Sequence, residues 1–416
     1  MVNSTPYHLF DVVGIELEYM IVDASTLDVR PISHHLLKDA QNEPVSEIEH
    51  GRTAWSNELT HHVIELKTNG PRASLAGLAE DFQLQIQVIN KQLATDGARL
   101  LPTAMHPWMN PDREMQLWPY DYSPVYEAFH KVFDCRGHGW ANLQSMHINL
   151  PFCGDEEFAR LHAAIRLVLP ILPGLAASSP WIEGKFSGVL DKRLDVYANN
   201  SRKIPSVAGR VIPEAVFSRQ EYDQQIFQPM FAEIAPFDPD GFLQDEFLNS
   251  RGAIARFERG AIEIRVIDVQ ECPLADVAIA ALTIAVVKKL VAEDWSPLLA
   301  QKRMDVETLR SLFDATIQTA EQTALSDAGY LDLFGIQLPS ITVGELWRTL
   351  FDQVKEEIRT VAPELISPME FILSHGSLAR RMTSIYGENL SRNELHAIYE
   401  LLANCLEGGQ LLGAKE

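Results

Sequence analysis

The chain has 416 residues, of which 46% are hydrophobic and 22% charged, and it carries a formal net charge of −22. That composition suits a globular protein of one large domain or two ordinary ones, and the acidic balance excludes a nucleic-acid backbone or an anionic membrane as main partner, because both would be repelled at long range. No stretch is long and apolar enough to span a bilayer. The N-terminus lacks the basic-then-apolar pattern of a signal peptide. The cysteines Cys135, Cys153, Cys272 and Cys405 have no paired spacing, which reads as reduced thiols in a cytoplasmic protein.

In chain order, the first element is the run "VVGIELEYMIVD", residues 12 to 23. Successive side chains of a strand point to opposite faces, so Val13, Ile15, Leu17, Tyr19 and Ile21 share an apolar face while Glu16, Glu18 and Met20 share the other. In "HHVIELKT", Glu65 stands mid-strand with His61, Val63 and Lys67 on its face, and Glu58 lies just upstream in "SNELT". Residues 75 to 98 have the apolar spacing of an amphipathic helix. The run "QSMHINL" is again a strand, with Ser145, His147 and Asn149 opposed to Met146, Ile148 and Leu150. A helix is expected over "DEEFARLHAAIRLVLPILPGLAASSP", followed by a loop-rich stretch to about residue 250 suited to a substrate lid. A strand over residues 261 to 268 then sets Glu263 and Arg265 against Ile262, Ile264 and Val266, and a helix follows over residues 274 to 293. Past residue 300 the pattern is helical. Residues 1–300 are read as a catalytic core and 301–416 as a helical extension integrated with it.

Four strands therefore repeat one design, an apolar face for packing on helices and a second face with ionisable groups at its centre. A sheet face open to water more often mixes Thr, Lys, Gln and Ser. Carboxylates gathered on one face repel each other unless cations neutralise them, and oxygen ligands with one imidazole suit Mg²⁺ or Mn²⁺. The pairs His34–His35 and His61–His62 lack the separation of a helical zinc motif and read as surface or structural residues. "EGKFSG" is not a phosphate-binding loop, since Ser179 stands where the first glycine is required.

The segments "GIELEYMIVDASTLDV", "NELTHHVIELKTNGP", "MHINLPF", "AASSPWIEGKFSGVLDKRLDVYAN", "AIEIRVIDVQECPLADVA" and "HGSLARRM" occur in an order that resembles the glutamate-cysteine ligase type 2 group of carboxylate-amine ligases, over residues 11 to 390. The resemblance implies an α+β fold similar to glutamine synthetase, with a cupped antiparallel sheet, helices on its convex side, and metals with ATP in the cup. It also implies ATP-dependent joining of a γ-carboxylate, usually glutamate's, to an amine, with cysteine the first choice. Carried onto this chain, the metal ligands are Glu16, Glu18, Glu58, Glu65, His147 and Glu263. Glu58 has a parity different from Glu65 and could belong to the preceding turn, and His147 could equally be an interior hydrogen-bonded residue.

Arg265 is expected on a phosphate, since its planar fork matches phosphate or carboxylate; the alternative is an ion pair holding Glu263. Arg193 is expected on the substrate carboxylate or γ-phosphate, Trp181 in the substrate pocket, and Arg380 and Arg381 as further nucleotide contacts. Such a ligase would take small-molecule substrates and could assemble as a homo-oligomer. Two other readings of the same cup stay open: a metal-dependent hydrolase of a γ-glutamyl or guanidino bond, and a catalytically silent relative that binds a nucleotide or amino acid.

Overall fold

A computed structural model describes residues 6–414. Its centre is one mixed-length antiparallel sheet of eight strands: β1 (Gly14–Asp23), β2 (Glu47–His50), β3 (Thr53–Asn57), β4 (Val63–Thr68), β5 (Ala98–Leu101), β6 (Ser145–Pro151), β7 (Ala253–Arg256) and β8 (Ala261–Asp268). The strands run in the order β2-β3-β4-β1-β6-β8-β7, with β5 paired to the C-terminal half of β1. The ten-residue β1 is thus central. It pairs with β4 on one side and with both β5 and β6 on the other.

The alternation written in the sequence becomes a two-sided sheet. Ile15, Leu17, Tyr19, Ile21, Ile64, Leu66, Met146, Ile148, Ile262 and Ile264 are fully buried and form one continuous apolar cluster with the helices behind them. Those helices are α1 (Leu78–Leu93), α3 (Gly154–Val168) and α5 (Pro273–Val291), while α2 (Ser123–Phe133) lies on the loop that crosses the other face. Helix α5 is apolar nearly all round because it packs against α1, α3 and two helices of the C-terminal part, leaving little beyond Lys288 and Lys289 to water. Among the described residues no helix is long and apolar enough to cross a membrane.

The expected helix over 75 to 98 is α1, shortened at both ends by Gly77 (φ 70°) and Gly97 (φ 65°), whose left-handed backbone stops the helical ladder. The expected long helix from residue 155 is also cut: α3 ends at Val168, a 3₁₀ turn covers Leu169–Ile171, and a short turn covers Pro173–Ala176. Pro170 and Pro173 account for this, since neither can donate a ladder hydrogen bond. The strand over 261 to 268 falls as expected.

Short helix α4 (Lys192–Tyr197) follows Asp191, whose side chain caps it by accepting from the Leu194 amide. Beyond residue 300 come α6 (Val306–Thr319), α7 (Val343–Val361), α8 (Ile366–His375), α9 (Leu378–Tyr386) and α10 (Arg392–Gly408). Helices α7 and α10 both begin at capping boxes, Thr342 with Glu345 and Ser391 with Glu394. Their buried faces enter the clusters that line the sheet and α5, with Leu346, Trp347 and Leu350 among them. The class is α+β, with helices stacked on the apolar side of an open antiparallel sheet.

Candidate metal and substrate cup

The polar face of the sheet gathers its charges by register. Across three strands, Glu16 of β1 is opposite Lys67 of β4 on one side and His147 of β6 on the other. One step along, Glu18 is opposite Glu65. Further out, Glu263 of β8 is opposite Asn149 of β6. Because side chains directly opposite share a face, these pairings alone bring Glu16, Glu18, Glu65, His147 and Glu263 onto one surface. Glu58 arrives differently, from the turn between β3 and β4.

Two ligand sets result. One oxygen or nitrogen each from Glu16, Glu65 and His147 lie within 4.8 Å of one another, and so do oxygens of Glu18, Glu58 and Glu65. Glu65 belongs to both, as a carboxylate bridging two cation positions would. Neighbours fix the orientation of each group. His147 shares a hydrogen bond of 2.9 Å with Glu16 through Nδ1, and Asn149 donates to the other Glu16 oxygen at 3.1 Å. The amide and hydroxyl of Ser145 both donate to Glu18 Oε2, at 2.7 and 2.9 Å. Ser56 donates to Glu65 at 2.6 Å.

Glu263 enters neither set. It is held between Arg265, at 3.1 Å, and Arg256, at 3.3 Å. A slip in the β6–β8 register between Ile264 and Ile267 lies beside Arg265, and such irregularities re-aim side chains.

The electrostatics record an excess of negative charge. Burial, followed by the charges of Glu65 and Glu18, pushes the Glu58 carboxyl well above its ordinary range. Burial and the neighbouring Glu16 push Glu65 up to about 7. Burial acts on Glu16 in the same sense, but its hydrogen bond and charge contact with His147 prevail and lower it to about 2. His147 is correspondingly raised, its burial being outweighed by Glu16, Glu18 and Glu263. Two carboxyls raised by burial and by neighbouring carboxylates are what a site built around divalent cations shows without that charge. The donor set, all oxygen with a single imidazole, fits Mg²⁺ or Mn²⁺.

The open space divides into two joined recesses. One, of about 590 Å³, contains Glu16, Glu65, Lys67 and Glu263. The other, of about 540 Å³, contains Glu18, Ser145, Arg193 and Tyr197. Glu58, His147, Arg256, Arg259 and Arg265 line both, under a roof of Tyr122 and Tyr126 from the α2 segment and Phe247.

Several expected residues are used elsewhere. Arg193 is only 2% exposed and is spent on the protein itself: Nε donates to Asp268 at 2.5 Å, and both terminal nitrogens reach the Arg265 carbonyl at 3.3 Å. It edges the 540 Å³ recess but clamps the backbone under Arg265. Trp181 is fully buried among residues of α9 and α10, with Nε1 donating to the Glu388 carbonyl, and it does not line the cup. Arg380 is paired with Glu321 and Arg381 with Glu271 and the Leu412 carbonyl, and neither lines the cup. Packing of the chain end claims these three side chains. His34 and His61 share a hydrogen bond of 2.7 Å, and His62 bonds the Ala141 carbonyl, all outside the ligand sets.

The sequence reading passed over Arg256, Arg259 and Tyr126. Arg256 is two residues from Ile254, which pairs directly with Glu263, so the register rather than the sequence puts it on that face. Arg259 and Tyr126 come from a turn and a crossing helix, where no period assigns a face.

The profile of glutamate-cysteine ligase family 2 (GCS2) matches residues 12–396. An uncharacterized protein of Archaeoglobus fulgidus is 32% identical over 365 residues, covering 86% of this chain and 98% of that protein. The fold is similar to that of a glutamate–cysteine ligase from Francisella tularensis solved in complex with AMP, with a TM-score of 0.66 at 14% identity over 96% of this chain and 90% of that one.

Proposed function

Because the chain belongs to glutamate-cysteine ligase family 2, we propose that it is an ATP-dependent carboxylate–amine ligase that activates a γ-carboxylate, glutamate's in the first instance, as an acyl phosphate before an amine attacks. The observation that carries this reading is the pair of ligand sets sharing Glu65, flanked by Arg256, Arg259 and Arg265. A carboxylate and a triphosphate are both anions, and a site that brings them together has to spread that charge.

The division of the cup suggests the division of labour. Lys67 of the 590 Å³ recess, with Arg256 and Arg259 at the junction of the two, would hold the triphosphate, and the 540 Å³ recess near Ser145 and Tyr197 would hold the acid. Arg265, which lines both, would stand at the reacting phosphoryl group, where a rigid fork can follow charge from the acid to the leaving oxygen. Divalent cations held by Glu16, Glu65 and His147 and by Glu18, Glu58 and Glu65 would supply Lewis-acid neutralisation of the phosphoryl oxygens. A γ-carboxylate oxygen attacks phosphorus as the bond to ADP breaks. The amine nitrogen then attacks the acyl carbon, the bond to phosphate breaks, and the amine loses a proton to leave an amide.

The test is an ATP-dependent reaction with ¹⁸O in the γ-carboxylate of glutamate and hydroxylamine as a small nucleophile. A γ-glutamyl hydroxamate, ADP, and phosphate carrying one heavy oxygen per product are expected. Product without ADP identifies a hydrolase or transferase, and neither product nor ADP with any carboxylate identifies a silent binder.

A further inference from the structure

A third cavity adjoins the cup and has no part in the chemistry above. It is larger than either recess, about 1330 Å³, against roughly 300–1,000 Å³ for a site that encloses a drug-sized molecule. It meets the 540 Å³ recess at two shared residues, Trp140 and Asn200. Asn200 lies across the opening, its side-chain amide donating to the Gly139 carbonyl, and a Cβ at position 139 would collide with the Asn200 carboxamide. Trp140 and Asn200 thus form a thin side-chain wall between the chamber and the recess that contains Glu18 and Glu58.

The geometry points to this chamber as the binding site of the amine-bearing substrate, which is a peptide-like chain attacking through its free α-amine and not a single amino acid. This rests on the ligase reading. Size is the first argument, since the inner recesses suffice for an amino acid and leave the chamber unused.

Charge is the second. The lining is balanced, with Arg136, Lys192, Arg202 and Arg392 against Asp112, Asp134, Glu183 and Asp195, and three of its four cationic side chains are paired locally: Arg136 with Asp134 at 2.8 Å, Lys192 with Asp195 at 2.5 Å, and Arg392 with Asp28 at 3.0 Å. Such a lining offers no acidic field for a polyamine. Nor does it gather cations around one space as the cup does, where Lys67, Arg256, Arg259 and Arg265 converge. Beside Arg202 and Asp112, one charge of each sign, stand the amide side chains of Asn110, Asn199 and Asn200 and the aromatic faces of Trp108 and Trp140. Amides with flat apolar faces suit a chain of neutral peptide groups. Arg392 stacks on Trp108 at 3.2 Å, which holds the indole in place as a wall of the chamber.

Hydroxylamine needs the cup alone, so it separates the chamber from the chemistry. The protein is assayed with ATP, glutamate and Mg²⁺ against hydroxylamine, glycine, diglycine, triglycine and tetraglycine, and the same series is run on Trp108→Ala and on Asn199→Trp, the latter filling the chamber from an exposed position. The expected result is a kcat/KM for the amine that rises by about tenfold or more from glycine to triglycine, about 1.4 kcal/mol of added transition-state binding. Both variants should lose that rise while hydroxamate formation, which reports an intact cup, persists. Equal values for glycine and triglycine, no turnover of any oligoglycine beside robust hydroxamate formation, or a length gain kept by both variants overturns the proposal. Absence of hydroxamate with every carboxylate overturns the ligase reading first, and the chamber assignment with it.

Discussion

Glu18 lies directly opposite Glu65 in the register of β1 and β4, with both side chains buried. Like charges in that relationship destabilise a sheet, and here Glu16 and Glu58 crowd the same surface. The arrangement persists in the fold because two carboxyls stay protonated or because cations lie between them.

The first prediction follows from that choice. Mg²⁺ or Mn²⁺ should raise the Tm of chelator-treated protein, by about 2.7 kcal/mol of stabilisation at a hundredfold excess over Kd, and EDTA should reverse the shift. Differential scanning calorimetry across millimolar Mg²⁺ checks it. A Tm indifferent to both metals would leave the glutamate cluster without its proposed ligand.

The second prediction concerns pH in metal-free protein. Glu65 is raised from its ordinary 4.5 to about 7, so the folded state holds the proton more tightly than the unfolded chain does. Its contribution is fully present below about 4.5 and is lost as pH rises through about 7, because in that window the native state binds more protons than the unfolded one. Glu58 acts in the same direction. Metal-free protein should therefore lose stability between pH 5 and pH 8, and Glu65→Gln should flatten that slope while weakening metal binding. An identical slope in the variant assigns the pH dependence to other groups.

Much of this was legible in the sequence. The period-two alternation put Glu16, Glu18, Glu65, His147 and Glu263 on one face before any strand pairing was known, and the register then aligned them. The role of Glu263 was half legible: Arg265, two residues on, was readable as its ion-pair partner, while Arg256 falls beside it only through the β7–β8 register. The same limit governs Arg193, Trp181, Arg380 and Arg381. A motif supplies their order in the chain, but burial beside Asp268, Glu388, Glu321 and Glu271 is decided by long-range packing. The helix breaks at Gly77, Gly97, Pro170 and Pro173 were readable in principle. An amphipathic period crosses a glycine or proline without recording whether the backbone continues.

The third prediction tests Arg265. Arg265→Lys keeps one positive charge and loses the planar fork, so turnover should fall by about tenfold or more, equivalent to about 1.4 kcal/mol, with the thermal transition little changed. Steady-state kinetics of ADP release beside a melting curve checks both. A loss within threefold would return Arg265 to the role of an ion-pair partner for Glu263.

The last prediction separates Arg193 from Arg265, two arginines joined by a backbone contact. Arg193 binds no open space with its fork: its nitrogens are engaged by the Asp268 carboxylate and the Arg265 carbonyl. Asp268 is itself fully buried and also accepts from the Ser178 amide and the Ser179 hydroxyl. Removing the guanidinium leaves a buried carboxylate without its cation, and breaking such a pair costs roughly 3–5 kcal/mol. Arg193→Gln should therefore lower the Tm and should depress kcat without a selective rise in KM for glutamate or ATP, since the damage reaches the site through the strand that carries Arg265. A double change, Arg193→Gln with Asp268→Asn, removes both charges and should recover much of the lost stability. If Arg193→Gln instead keeps its Tm and raises KM for glutamate alone, Arg193 binds substrate directly and the clamp on the Arg265 backbone is incidental.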